Sequence, residues 1–130
     1  MKLGIIGCGA IGSDVALAAE EMDEIDKIFL YDINKKCSER LNKKISKGEI
    51  RTVESFLKDV DVVFEAASQE AVNEYAKPIL KAGKDLVLMS VGSLFDGKFR
   101  RRLAEIAREK NSKIYLPVSF GLFLFFSCIL

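Results

Sequence analysis

Near the start of the chain the run Gly7-Cys8-Gly9-Ala10-Ile11-Gly12 follows a short apolar stretch (3–6). It opens a segment whose apolar residues, Ile11, Val15, Ala18, Ala19 and Met22, recur at steps of three and four. An apolar run, a glycine turn and a 3.6-residue period predict strand, tight turn and helix in succession. With nine glycines in the chain the spacing alone would say little. Between a strand and a helix, each glycine acquires a task. Gly7 makes the turn, Gly9 lets backbone approach a pyrophosphate, and Gly12 lets the helix pack closely on the sheet. The free N–H groups of the helix start, from Cys8, Ala10 and Ile11 onward, face the same place.

The rest of the chain repeats the alternation. A second apolar run (27–31) closes at Asp32, and Asn34 is a predicted N-cap for a polar helix to about Ser46, ended by Gly48. Residues 49–53 are weakly strand-like and 54–58 read as one helical turn. A strong strand at 61–65 precedes a helix opened by Ser68-Gln69-Glu70, with Ala71, Val72, Tyr75, Ala76, Ile79 and Leu80 on one side. Pro78 is expected to kink or shorten its last turns and Gly83 to cap it. A strand at 84–90, a loop at 91–96, a basic amphipathic helix at 97–111 and a strand at 113–116 complete the pattern. Strands that are apolar without alternation, separated by helices, predict an α/β fold. The arrangement is a Rossmann-type doubly wound parallel sheet with helices on both faces.

Composition narrows the functions open to such a sheet. The chain's 130 residues fit one domain with a real core, at 49% hydrophobic residues and mean hydropathy +0.14. Twenty Lys and Arg against nineteen Asp and Glu leave no basic field for nucleic acid. The Arg100-Arg101-Arg102 cluster reads as a solvated helix face beside Glu105. Histidine is absent, so no His base or His metal ligand exists in these residues. Cys8, Cys37 and Cys128 show no CxxC spacing, which suggests neither a disulfide framework nor a metal site, and a reduced cytoplasmic protein is expected. The N-terminus is wrong for a signal peptide.

Asp32 lies 20 residues past Gly12 at the end of the next strand, where a carboxylate accepts hydrogen bonds from an adenosine ribose. The plainer alternative is a glycine turn that only permits packing, with Asp32 an ordinary turn residue. The expected cofactor is NAD or NADP. NAD is favoured because Asp32 repels a 2′-phosphate, although Lys35 and Lys36 lie close by. Beyond the later strand ends, Ala66 and Ala67 are small enough for a cofactor to lie across. Ser68 either caps its helix or bonds a ribose, and Gly92 either brings backbone to the nicotinamide ribose or relaxes its loop. Ser90 belongs to the same group. Glu65 is a solvent-facing strand-end charge or a group near the substrate, and no catalytic residue is assigned.

The glycine run, Tyr31-Asp32, Glu65-Ala66-Ala67-Ser68-Gln69-Glu70-Ala71-Val72, Met89-Ser90-Val91-Gly92-Ser93-Leu94 and Tyr115-Leu116-Pro117 together resemble the cofactor domain of the L-aspartate dehydrogenases. Order and spacing agree from Lys2 to about Pro117. The resemblance implies NAD(P)-dependent oxidative deamination of L-aspartate to iminoaspartate, leading to oxaloacetate or to NAD biosynthesis. It also implies a second domain, commonly dimer-forming, that carries the family's catalytic histidine.

The two part company after Pro117. The family continues with a Gly-Ala loop, whereas 118–130 is apolar and rich in Phe. At 13 residues the tail is short for a membrane span. A truncated or frameshifted continuation is favoured over a buried strand or an interface, so the expected division is a dinucleotide-binding domain at 1–117 and a tail at 118–130. On this reading the chain alone is inactive. The alternatives are a non-catalytic dinucleotide-sensing module and a dihydrodipicolinate- or homoserine-type reductase.

Overall fold

The computed structural model describes the backbone of residues 1–120 and 123–128 and the side chains of 1–117. The sheet runs through β1 (Lys2–Ile6), β2 (Lys27–Tyr31), β3 (Gly48–Ile50), β4 (Val62–Glu65), β5 (Asp85–Leu88), β6 (Ile114–Phe120) and β7 (Phe123–Cys128). Their order is β3-β2-β1-β4-β5-β6-β7, parallel except for β6 with β7. The helices are α1 (Ala10–Glu20), α2 (Lys35–Asn42), α3 (Val53–Phe56), α4 (Gln69–Lys81) and α5 (Gly97–Lys110), with a 3-10 turn at Val91–Phe95. The expected Rossmann-type doubly wound sheet is present, and its strand order reverses direction between β1 and β4.

Alternate side chains of each apolar strand feed two cores, which is why the strands show no polar face. Ile6, Phe29, Val63, Leu86 and Leu88 join Val72, Ile79, Leu103 and Ile106 from α4 and α5. On the other side Ile5, Ile28, Leu30 and Phe64 meet Ala16 and Ala19 of α1 and Leu41 of α2. Burying each large aliphatic side chain contributes about 1.5–3 kcal/mol.

Several boundaries differ from expectation for identifiable reasons. The buried face of α1 is Gly12, Ala16 and Ala19, while Ile11 and Met22 are exposed. Small residues at the contact are what let this helix sit close to the sheet. Helix α2 stops at Asn42, and Gly48 opens β3 instead of capping the helix. Helix α4 runs through Pro78 to Lys81, and Gly83 follows it at φ +75°. β6 continues past Pro117; its pairing with β5 ends at Tyr115, so the proline interrupts no β5 ladder bond. The backbone at 114–120 and 123–128 forms an antiparallel hairpin. The side chains of Phe120, Phe123, Phe125 and Phe126, on which the expectations for the tail turned, lie outside the described residues.

Candidate functional site

The glycine loop is built around contacts that no side chain could share. Gly7 has φ +99° and donates its N–H to the Tyr31 carbonyl at 2.8 Å; a Cβ there would lie 2.6 Å from the Ala66 carbonyl oxygen. A Cβ on Gly12 would fall 1.8 Å from the Gly7 oxygen. Around Gly9 nothing lies within 4 Å of such a Cβ, so the loop is open to solvent at that residue alone of the three. Gly9 is also the N-cap of α1, where no side chain caps the helix and the first turn holds no acidic residue. Exposed Ala10 and Ile11 begin that turn. An uncapped helix start beneath an open glycine fits an anionic phosphate group.

Asp32 stands at the edge of this loop, half-buried. Its Oδ2 accepts from the Cys8 N–H at 2.8 Å and its Oδ1 from the Asn34 N–H at 2.8 Å. Two of a carboxylate's roughly four acceptor positions are thus used, and the others remain for hydroxyl donors. Cys8 is committed locally: its N–H goes to Asp32 and its thiol contacts the Tyr31 carbonyl at 3.7 Å. Burial pushes the Cys8 thiol up to about 12, and the neighbouring Asp32 carboxylate adds to the rise.

A cleft of about 120 Å³ begins beside Gly7 and Asp32 and is bounded by Ile33, Ala67, Ser68 and Tyr75. Ile33, 93% exposed, forms its lip. Tyr31 and Tyr75 meet edge-on, centroids 5.8 Å apart, with their hydroxyls 3.3 Å apart. Burial first, then that hydrogen bond, raises the Tyr75 phenol above its ordinary value. Glu70 and Glu74 add acid to the rim. Ile33, Glu74 and Tyr75 were not singled out as site residues. An apolar Ile33 directly after the strand-end acid was the available signal, whereas Tyr75 reads from sequence as core.

The later strand ends are tied together. Glu65 ends β4 in register with Ile6 of β1 and Leu88 of β5, and it is buried at 2% exposure. Its Oε1 accepts from the Ala67 N–H at 2.7 Å and the Ser90 hydroxyl at 2.8 Å, and its Oε2 from the Ser90 N–H at 2.9 Å. Of the two readings left open, the solvent-facing charge is thereby excluded. Ser68 does cap α4, accepting from the Ala71 N–H at 3.1 Å, which leaves its own proton free to donate. Ala66 is half-buried and Ala67 exposed. Gly92 makes room for a side chain, since a Cβ there would lie 1.9 Å from the Gln69 amide nitrogen. A roomier hollow of about 490 Å³ lies apart, between the 3-10 turn, α5 and β6, and its lining is mainly apolar.

Residues 7–117 match the family described as homoserine dehydrogenase, NAD binding domain. The chain belongs to this family. The NAD-binding domain is also 38% identical over 118 residues to L-aspartate dehydrogenase of Methanothermobacter thermautotrophicus, covering 90% of this chain and 46% of that protein. To the enzyme of the same name from Methanocaldococcus jannaschii it is 38% identical over 120 residues, covering 90% and 45%. The chain therefore spans a little under half the length of these curated relatives. Among solved structures, GenD2 from gentamicin A biosynthesis in complex with NAD superposes with a TM-score of 0.80 at 18% identity, covering 89% of this chain and 34% of that one. UDP-N-acetylglucosamine 3-dehydrogenase GnnA from Acidithiobacillus ferrooxidans gives 0.77 at 20% identity, covering 89% and 37%. At those identities the likeness establishes the fold alone. The family match gives this domain an NAD(P) cofactor, and no helix among the described residues is long and apolar enough to cross a membrane.

Proposed function

We propose that this chain is the cofactor-binding half of an oxidoreductase of the L-aspartate dehydrogenase type, with 1–117 as the functional domain and 118–130 as an added tail. The observation that carries the proposal is the open Gly9 corner over an uncapped helix start, with Asp32 held beside it by two backbone N–H groups. Gly9, Ala10 and Ile11 receive the pyrophosphate, and Gly7 and Gly12 shape the turn and the close packing that present them. Cys8 supports them indirectly, by fixing Asp32. The adenosine lies in the cleft between Ile33 and Tyr75, its ribose hydroxyls donating to Asp32. Ala66, Ala67, Ser68, Ser90 and Gly92 border the nicotinamide half beyond the strand ends.

When bound, the dinucleotide supplies a hydride acceptor, as the oxidation of an amine requires. The protein's own part is to position and to exclude water. NAD is preferred over NADP because the anchored Asp32 carboxylate cannot rotate away from a 2′-phosphate, and Glu70 and Glu74 add to the repulsion. Contacts to the amino acid, and the acid–base chemistry at its nitrogen, belong to the part of the relatives that this chain does not match. The 38% identity to enzymes named L-aspartate dehydrogenase supports L-aspartate as substrate, and a cytoplasmic homodimer is the proposed setting.

Calorimetric titration with NAD and NADP tests the reading. Binding of NAD at least several-fold tighter than NADP is expected, and no heat from either at millimolar concentration overturns it. In an assay of aspartate-dependent NAD reduction, the chain by itself is expected to show no turnover.

A further inference from the structure

The buried carboxylate of Glu65 is not used by the reading above, on which the following rests. We infer that Glu65 is a positioning residue for the nicotinamide half of the dinucleotide, acting through Ser90. A serine hydroxyl has one hydrogen, and that of Ser90 is given to Glu65 Oε1 at 2.8 Å. What Ser90 then presents to a ligand is lone pairs only, so its partner must be a donor. The Ser90 backbone is held by the same carboxylate through its N–H at 2.9 Å, and the Ala67 N–H binds at 2.7 Å. One side chain therefore fixes both loops, after β4 and after β5.

The geometry selects the ligand group. With the adenosine on the β2 side at Asp32, the remaining half crosses the end of β1 toward β4 and β5. Its donors are the second ribose's hydroxyls and the carboxamide NH₂. Half-buried Ser90 is reachable, while Glu65, at 2% exposure, is not; it acts on the ligand only through Ser90. Glutamine cannot replace it. If its oxygen takes the Oε1 place, its NH₂ opposes the Ser90 N–H; turned over, its NH₂ opposes the Ala67 N–H and makes the Ser90 oxygen accept.

The test is calorimetric titration of the wild-type chain, Ser90→Ala and Glu65→Gln with NAD, ADP-ribose and ADP. Both variants are expected to bind NAD about five- to tenfold more weakly, the scale of one lost hydrogen bond, and ADP within about twofold of wild type. Weakened ADP-ribose places the donor on the ribose; unchanged ADP-ribose places it on the carboxamide. Ser90→Ala binding NAD like wild type overturns the inference. A folded Glu65→Gln that retains wild-type NAD affinity, or that loses NAD and ADP alike, also overturns it, since the latter is what a purely structural role produces. If circular dichroism shows Glu65→Gln unfolded, Ser90→Ala decides, because it keeps the Ser90 N–H on Glu65. A wild-type chain that binds no NAD counts instead against the dinucleotide reading.

Discussion

Two carboxylates flank β1, one just beyond the end of β2 and one at the end of β4, and each accepts one backbone N–H from two residues along its own loop and one from a neighbouring loop. Asp32 takes two such bonds and stays half-exposed; Glu65 takes two backbone bonds and a hydroxyl and is sealed from solvent. The device is the same and the outcome differs by burial. On the β2 side the carboxylate keeps acceptor positions for a ligand, so fold and site share one group. On the β4 side the carboxylate is spent inside, and the loop it holds meets the ligand.

The glycines offer the hardest test of whether fold and site are separable on the β2 side. In Gly12→Ala the new methyl carbon would lie 1.8 Å from the rigid Gly7 carbonyl oxygen, and neither the backbone of the turn nor the helix can yield. A stability loss of about 3 kcal/mol or more is expected in urea denaturation, at the upper end of overpacking costs. In Gly9→Ala the methyl meets nothing within 4 Å, so stability should hold or rise by about 0.5 kcal/mol. NAD affinity should nevertheless fall at least about tenfold, because the methyl occupies the phosphate's place. Wild-type NAD affinity in Gly9→Ala would remove the glycine loop from the site.

The next largest contrast compares the carboxylates directly. Glu65→Ala leaves three part-buried donors without their acceptor, each costing about 1 kcal/mol, the low end for an unmet donor. A loss of about 3 kcal/mol is expected. Asp32→Ala exposes its two donors to water and should lose about 1 kcal/mol. Equal losses in thermal or urea unfolding would show that burial does not distinguish the pair.

This contrast also marks what could be read from the sequence. Asp32 was legible because its position, 20 residues after a glycine turn, reflects a fixed path of chain along a strand and back. The parallel sheet was legible for a similar reason, since strands such as 28–31 and 61–65 lack a polar face. Glu65 was not legible. Its partner Ser90 is apposed only by the pairing of β4 with β5, which no local pattern encodes, and Ala67, two residues on, carries no signal of its own. On α1, Gly12 was legible as the packing residue and Ala16 was not, because periodicity counts the larger apolar residues while close approach selects the small ones. The continuation of β6 through Pro117 depends on where β5 stops, a fact of the partner strand.

Cys8 sharpens the comparison through pH. Its thiol rises from an ordinary 9.0 to about 12, first by burial and then by the Asp32 charge. The unfolded chain therefore loses this proton at lower pH than the folded one. The neutral thiol's contribution is complete below about 9 and declines as pH rises toward 12, by up to about 1.4 kcal/mol per pH unit. Wild type should lose more stability than Cys8→Ser between about pH 9 and 10. Parallel alkaline losses in the two proteins would mean that the loop beside Asp32 is wetter than its geometry indicates.

The smallest effect expected is at the Tyr31–Tyr75 pair, which lines the cleft on the Asp32 side. Tyr31→Phe keeps the edge-on ring contact and removes only the bond between hydroxyls, so the stability change should stay below about 1 kcal/mol. The more informative readout is the ionisation of Tyr75, followed by tyrosinate absorbance. Burial is the larger cause of its elevation and the Tyr31 hydroxyl the lesser, so the variant should lower the Tyr75 titration while leaving it above that of a free phenol. A return to the ordinary value would mean that the cleft wall is open to water, and that the β2 side is solvated beyond Asp32. A titration still raised would confine water on this side to the lip at Ile33, leaving Asp32 as the polar group that the ligand meets between that lip and the glycine loop.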